Sequence, residues 1–331
     1  MRRYRIIVTE PIHPDGIDLL RRECEVVELP PGADEGDLLS QGLEADALIT
    51  RGWIRVTREF LEAAHRLKVV AVHGVGTDHV DLEAAAEHEV LVFNTPTALT
   101  ESVAEMTVAL ILSLLRRVVA ADGAVRRGEW ERKYSDLVGV ELMGKTVGIL
   151  GLGRIGSAVA RRLKGFDVNL LYYDKVERRE VEEELGIRRV GLEELLSTSD
   201  IITIHVPLTP ETHHMISSRE FDLMKEGAYL VNLARGRVID EEALIEALRS
   251  GKLAGAALDV FEEEPPRRDN PLLSLENVIL TPHIGASTRE AMRRMALQSA
   301  EGVLTALRGG DTSQCRETLR LRLKLLQEFL G

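Results

Sequence analysis

Three polar side chains in the second half of this 331-residue sequence each directly follow an apolar, strand-like run: Arg235 in VNLARG, Glu264 in DVFEEEP and His283 in VILTPH. An arginine in such a place can fork onto a carboxylate through two parallel N–H groups. An acid touching a histidine is a proton-transfer pair, in which the carboxylate fixes the imidazole tautomer and stabilises its protonated form. Singly, each has an ordinary explanation, since Glu264 belongs to a run of three acids and His283 is one of nine histidines. Jointly they stand at three strand ends, and in open α/β sheets ligands bind at the carboxyl ends of the strands.

A second constellation lies upstream. TVGILGLGRIGSAVARRLKGFDVNLLYYD, residues 146–174, holds the pattern G-x-G-x-x-G between a strand-like and a helix-like segment. Gly151 would close a tight turn, Gly153 would let backbone approach a pyrophosphate, and Gly156 would let the helix pack close to the strand, with Arg154 and Ile155 completing the turn. The N–H groups at the start of the following helix favour an anion by roughly 0.3 to 2 kcal/mol. Asp174 stands 18 residues beyond Gly156. A carboxylate there accepts both ribose hydroxyls of an adenosine and repels a 2′-phosphate, so NAD is expected over NADP. Lys175, Arg178 and Arg179 follow closely and are read as solvated surface charges.

These residues need a framework, and the hydrophobic pattern supplies one. The strand candidates RIIVTE, EVVELP, ALIT, KVVAVHG and VLVFN alternate with segments of helical period such as GIDLLRREC and TREFLEAAHRL. A second series, TVGILG, NLLYYD, IITIHVP, AYLVNLA, GAALDV and VILTPH, follows in the same manner. Such alternation means parallel sheets with crossover helices. The expectation is an α/β protein of two doubly wound parallel-sheet domains. Between the two series, LTESVAEMTVALILSLLRRVVAADGAVRRGEW reads as holding a connecting helix of about five turns, apolar over most of its surface and needing cover. Near the end, STREAMRRMALQSAEGVLTALRGG reads as a long helix capped by Ser287 with Glu290 three residues later, packing back on the first series. The glycine turn would then belong to a second domain, 99–286, inserted into a first one made of 1–98 and 287–331. The first domain would form the opposite wall of a cleft.

Composition narrows the partners. The 44% apolar and 29% charged fractions describe an ordinary folded protein. The net charge of −12 disfavours nucleic acid. MRRYRIIVTEP reaches Glu10 before any long apolar stretch, and the longest apolar run, VALILSLL, has eight residues, so neither a signal peptide nor a membrane span is expected. Cys24 and Cys315 lie far apart without metal-ligand spacing and are read as unpaired thiols of a cytoplasmic protein; no metal is expected.

Taken together, GVGTDHVDLEAA, ELMGKTVGILGLGRIG, HVPLTPETHHMI, VNLARGRVIDEEAL, GAALDVFEEEPP and LTPHIGAST, in this order, resemble the D-2-hydroxyacid dehydrogenases, the family that includes phosphoglycerate dehydrogenase and the glyoxylate and hydroxypyruvate reductases. The resemblance spans roughly residues 4–308. It implies a Rossmann NAD-binding domain inserted into a flavodoxin-like substrate domain, with dimerisation through the former. It implies that Arg235 holds the substrate carboxylate and carbonyl, that Glu264 and His283 form the acid–base pair, and that Asp259 binds the nicotinamide amide. By the same resemblance His205, Pro207, Thr212, Ala234, Gly285 and Ala286 line the cofactor, and the loop Gly74, Val75, Gly76 offers N–H groups to the substrate carboxylate. Arg51 would meet a substrate phosphate, although Val72 stands where many phosphoglycerate enzymes carry arginine. The substrate pair is expected to be 3-phosphoglycerate and phosphohydroxypyruvate, or else hydroxypyruvate or glyoxylate and the corresponding hydroxy acid. The alternative is an NAD-sensing corepressor-like binding protein of the same fold. The tail 311–331 departs from the family's ending and reads as a short amphipathic helix.

Overall fold

A computed structural model describes residues 3–315 and 318–322. It divides into two compact units, 1–99 with 287–331, and 100–286.

The first unit is a parallel sheet of β1 (Arg5–Val8), β2 (Glu25–Glu28), β3 (Ala47–Thr50), β4 (Val69–Val72) and β5 (Leu91–Asn94), ordered β2-β1-β3-β4-β5. This is the flavodoxin-like order. Alternate residues explain why its inner strands carry apolar residues on both faces, while edge strand β2 keeps exposed glutamates at its ends. Ile7, Leu48, Val70 and Val92 face one core with Leu38, Phe60, Leu61 and Ala84, while Ile6, Ala47, Val69 and Phe93 face another with Ala296, Ala300 and Val303. Both faces are covered by helices, so no strand position can be polar without a partner. The helix Arg289–Leu307 packs against Pro14–Arg21 and β4. Its N-cap is Thr288 and not Ser287: the Thr288 hydroxyl accepts from the Ala291 N–H at 3.1 Å, three residues on, as a cap preceding Arg289 must. Of the C-terminal tail, Cys315 and Thr318 are buried in this unit, and the Thr318 hydroxyl accepts from the Val92 N–H of edge strand β5 at 3.1 Å. Of the tail helix expected from sequence, 318–322 are helical, and 316–317 and 323–331 lie outside the described residues.

The second unit is a parallel sheet of β6 (Thr146–Leu150), β7 (Asn169–Tyr173), β8 (Arg188–Arg189), β9 (Ile201–Ile204), β10 (Ala228–Asn232), β11 (Leu253–Leu258) and β12 (Val278–Leu280), ordered β12-β11-β10-β9-β6-β7-β8. Counted from β6, this is the dinucleotide-binding order, whose direction reverses between β6 and β9. The connecting segment 99–130 is not one helix. It forms Thr100–Leu115 and Val118–Arg127, broken where Arg117 turns left-handed at φ 52°. The cause is a crossing strand of chain: the Leu115 carbonyl, which a continuing helix would need, accepts from the Val140 N–H at 2.8 Å. A Cβ on Gly139 would stand 2.6 Å from that carbonyl oxygen.

Candidate active site

The glycine turn leaves β6 at the reversal point of the second sheet. Gly151 adopts φ 92°, and a Cβ there would meet the His205 carbonyl group at 2.9 Å, so the turn lies flush against the chain leaving β9. A Cβ on Gly156 would come 2.0 Å from the Gly151 oxygen, which is how closely the helix Arg154–Leu163 packs on its strand. Gly153 differs: no atom lies within 4 Å of its Cβ position. It is also the N-cap, without a side-chain cap for the helix N–H groups. Uncapped donors behind an open glycine fit a pyrophosphate. Arg154 is exposed and Ile155 half-buried beside them.

Asp174 follows β7 and steadies the same turn, its Oδ2 accepting from the Leu152 N–H and its Oδ1 from the Val176 N–H, both at 2.9 Å. Each carboxylate oxygen keeps a lone pair, so two ribose hydroxyls can still be accepted. The nearby cations have acidic neighbours: Lys175 lies 3.9 Å from Glu211, Arg178 3.9 Å from Asp174 and Arg179 3.0 Å from Glu177. His205 leaves β9 with Nε2 2.9 Å from the Thr203 hydroxyl, and burial pushes its imidazole down to about 3, keeping it neutral. Thr212 is buried and donates to the Pro207 carbonyl at 2.6 Å, shaping the loop between them.

The loops after β10, β11 and β12 carry the candidate catalytic groups. Asn232, fully buried at the end of β10, ties the Arg235 turn by donating to the Arg235 carbonyl and accepting from the Ala234 N–H, both at 2.9 Å. The Arg235 guanidinium donates to the Ala234 carbonyl at 2.6 Å. Gly236 is required next, because a Cβ there would fall 1.9 Å from the Phe261 carbonyl group. Asp259, buried after β11, accepts from the Thr281 hydroxyl at 2.6 Å and from the N–H groups of Ile284 and Gly285 at 2.8 and 2.7 Å. These bonds, with the His283 N–H donated to the Asp259 carbonyl at 2.8 Å, hold His283 left-handed at φ 51°. A non-glycine residue in that region is strained by about 1 to 3 kcal/mol and persists only where its surroundings enforce it. Gly285 is buried and Ala286 half-buried beyond it.

The outcome is a contact between side chains 19 residues apart: His283 Nδ1 lies 2.7 Å from Glu264 Oε2. Glu264 Oε1 accepts from the Phe261 N–H at 3.0 Å. Desolvation acts to raise the Glu264 carboxyl, but the His283 bond and charge, the Phe261 N–H and the Arg235 charge outweigh it and hold it below the usual glutamate range. With Nδ1 donating to the carboxylate, Nε2 is the ring atom left to exchange a proton. The sign for stability follows. A carboxyl depressed on folding contributes stability above its unfolded pKa, and this is lost as pH falls through the lower folded value. Glu264→Gln should therefore flatten the acid side of the unfolding-versus-pH profile of this unit, which urea titrations across that range would show.

The remaining residues singled out by sequence lie in the first unit. Burial pulls the Arg51 guanidinium below its ordinary range, with Glu10 opposing; it donates to the Pro11 carbonyl at 2.7 Å. In the loop Gly74, Val75, Gly76 the Gly74 N–H is already donated to the Val72 carbonyl at 2.9 Å. Sequence reasoning passed over Asn232, the ties of Asp259 to the 281–285 turn, and His214 with Glu262. Asn232 had a signal, a lone amide ending an apolar run; the others had none.

Residues 108–285 match the NAD binding domain of the D-isomer specific 2-hydroxyacid dehydrogenases. The chain is 48% identical over 306 residues, 92% of its length, to a D-3-phosphoglycerate dehydrogenase of Methanocaldococcus jannaschii, of which it covers 58%. It thus spans little more than half of that relative. It is 46% identical over 316 residues to a glyoxylate reductase of Aeropyrum pernix, covering 93% of this chain and 94% of that protein. Among solved structures, D-lactate dehydrogenase from Aquifex aeolicus, complexed with NAD and lactic acid, superposes with a TM-score of 0.84 at 34% identity, covering 94% of this chain and 97% of the other.

Proposed function

This chain belongs to the D-isomer specific 2-hydroxyacid dehydrogenase family, and from that premise we propose that it interconverts a small D-2-hydroxy acid and its 2-oxo acid with NAD. The supporting observation is the 2.7 Å Glu264–His283 pair at the ends of adjacent strands β11 and β12, in the sheet that carries the glycine turn. The turn and Asp174 would hold the cofactor, with His205, Pro207, Thr212, Ala234, Gly285 and Ala286 lining it. Asp259 Oδ2, which takes one N–H here, has a lone pair left for an amide. When bound, NADH supplies the hydride.

The protein's own residues then manage charge and proton. As negative charge grows on the 2-oxo oxygen, protonated His283 donates from Nε2 while Glu264 stabilises the imidazolium, and Arg235 orients the acid by its fork and adds positive charge. In the first unit, Val75 and Gly76 N–H groups are proposed for a substrate carboxylate and Arg51 for a phosphate; the candidate 2-oxo acids are phosphohydroxypyruvate, hydroxypyruvate and glyoxylate. Comparing kcat/KM for phosphohydroxypyruvate, hydroxypyruvate, glyoxylate and pyruvate, each with NADH and NADPH, tests the reading. No NADH consumption with any of them would leave only a binding role.

A pH dependence follows with a definite sign. Reduction needs His283 protonated and oxidation needs it neutral, so the reductive rate should fall and the oxidative rate rise as pH increases through its titration. Identical profiles in both directions would exclude His283 as the proton carrier.

A homodimer through the second unit belongs to the same proposal. Val118, Val119, Val125, Trp130 and Tyr134 are each more than half exposed along one segment of it, an apolar surface of the kind that seeks a partner. Sedimentation analysis decides its oligomeric state. The buried free thiols Cys24 and Cys315 suit a cytoplasmic setting.

A further inference from the structure

Glu264 is not the only acid of its run to meet a histidine. Two residues earlier, Glu262 Oε1 lies 2.6 Å from His214 Nε2. His214 is held left-handed at φ 49° in the loop after β9, with its N–H donated to the Arg237 carbonyl at 2.9 Å. Arg237 in turn donates from Nε to the Glu262 carbonyl at 3.2 Å. Three strand-end loops are thereby tied together: the loop after β9 by His214, the one after β10 by Arg237, and the one after β11 by Glu262. The other charged or titratable groups facing this knot are accounted for. The His213 ring stacks on His214 at 4.0 Å, and Asp240 lies close enough for His214 to help hold its carboxyl below the usual range, after the larger effect of its bond to the Ser217 hydroxyl. Glu241 exchanges backbone bonds with Glu262, its Oε2 accepting from the Glu262 N–H at 3.3 Å and its own N–H donating to Glu262 Oε2 at 3.4 Å. Asn270 anchors Glu241 Oε1 at 2.7 Å.

The knot matters because of what hangs on either side of it. Gly236 leaves no room between the Arg235 turn and the Phe261 backbone, and Phe261 donates its N–H to Glu264. Any slip of the 261–262 backbone therefore moves the Glu264 carboxylate off His283 and shifts the Arg235 turn with it. A bond between a neutral or charged imidazole and a carboxylate, joining the loops after β9 and β11, resists that slip. We propose that His214, acting through Glu262, is a positioning residue that holds Glu264 in register with His283. This rests on the dehydrogenase reading given above.

The test uses the full chain and three variants, His214→Ala, His214→Gln and Glu262→Gln. Kinetics of 2-oxo acid reduction, NADH affinity by fluorescence, and kcat followed against pH are measured for each. In His214→Ala, kcat should fall on the order of 10- to 100-fold, as misplacements of about 1 Å do, while NADH affinity is kept. The acid limb of kcat should move to higher pH, because a Glu264 displaced from His283 loses the bond that helps hold its carboxyl below the usual range. His214→Gln, whose amide N–H can still donate to Glu262, should recover much of kcat. Wild-type kcat, or an unmoved acid limb of its pH profile, in His214→Ala overturns the inference alone. A wild-type protein that consumes no NADH with any 2-oxo acid overturns the dehydrogenase reading and this inference with it. Should His214→Ala fail to fold, Glu262→Gln decides by the same two readouts, the carboxamide being expected to weaken the bond and shift the acid limb in the same direction.

Discussion

Replacing His283 by alanine is expected to slow 2-oxo acid reduction by about 10²- to 10⁴-fold, the usual contribution of general acid catalysis, while NADH still binds. The two effects separate because the pyrophosphate and ribose groups of the turn, Gly151, Gly153, Gly156 and Asp174, follow β6 and β7, whereas His283 follows β12. Loss of the imidazole leaves the growing alkoxide without its proton donor and takes from Glu264 its 2.7 Å partner. The pair should also act as a unit. Once His283 is gone, adding Glu264→Gln should cost little more, since groups that work together are not additive in their deletions. Full activity in His283→Ala, or loss of NADH binding without a rate effect beyond it, would refute the assignment. Stopped-flow fluorescence for binding and single-turnover absorbance for chemistry distinguish these.

Arg235→Gln should have the next largest effect, a loss of about 10²- to 10³-fold in kcat/KM, the scale seen when one preorganised donor to a developing oxyanion is removed. Both kinetic parameters should change. The fork onto the carboxylate is present in substrate and transition state alike and appears in KM, whereas the charge beside the carbonyl oxygen grows in importance along the reaction and appears in kcat. Arg235→Lys keeps the charge and loses the planar fork, so it should fall between the two. A further sign should accompany the glutamine variant. Because the Arg235 charge helps hold Glu264 below its ordinary range, its removal should raise the pH at which the acid limb of activity is lost. Wild-type kcat/KM in Arg235→Gln would remove this residue from the site.

Much of the scaffold was legible because both sheets are covered on both faces. Ile6 and Ile7 enter different cores, as do Ala47 and Leu48, so the strands announce themselves as unbroken apolar runs. β8 escaped notice for the converse reason, being two exposed arginines at the sheet edge. Where the connecting helix ends was not legible, because its break depends on Val140, 25 residues beyond the Leu115 carbonyl it captures. The cap of the last helix was misplaced by one residue between adjacent hydroxyls, a choice that local pattern leaves nearly even.

The sequence by itself determined that a glycine turn sits between a strand and a helix, and that Arg235, Glu264 and His283 each follow an apolar run. Those are properties of burial and backbone freedom within a few residues of chain. Only the tertiary structure decided that β12 lies beside β11, that Asp259 holds His283 left-handed against Glu264, and that His214 reaches Glu262. Such contacts join residues 19 to 48 positions apart, and which strands become neighbours is settled by the packing of whole sheets and helices, a quantity no local stretch of residues contains.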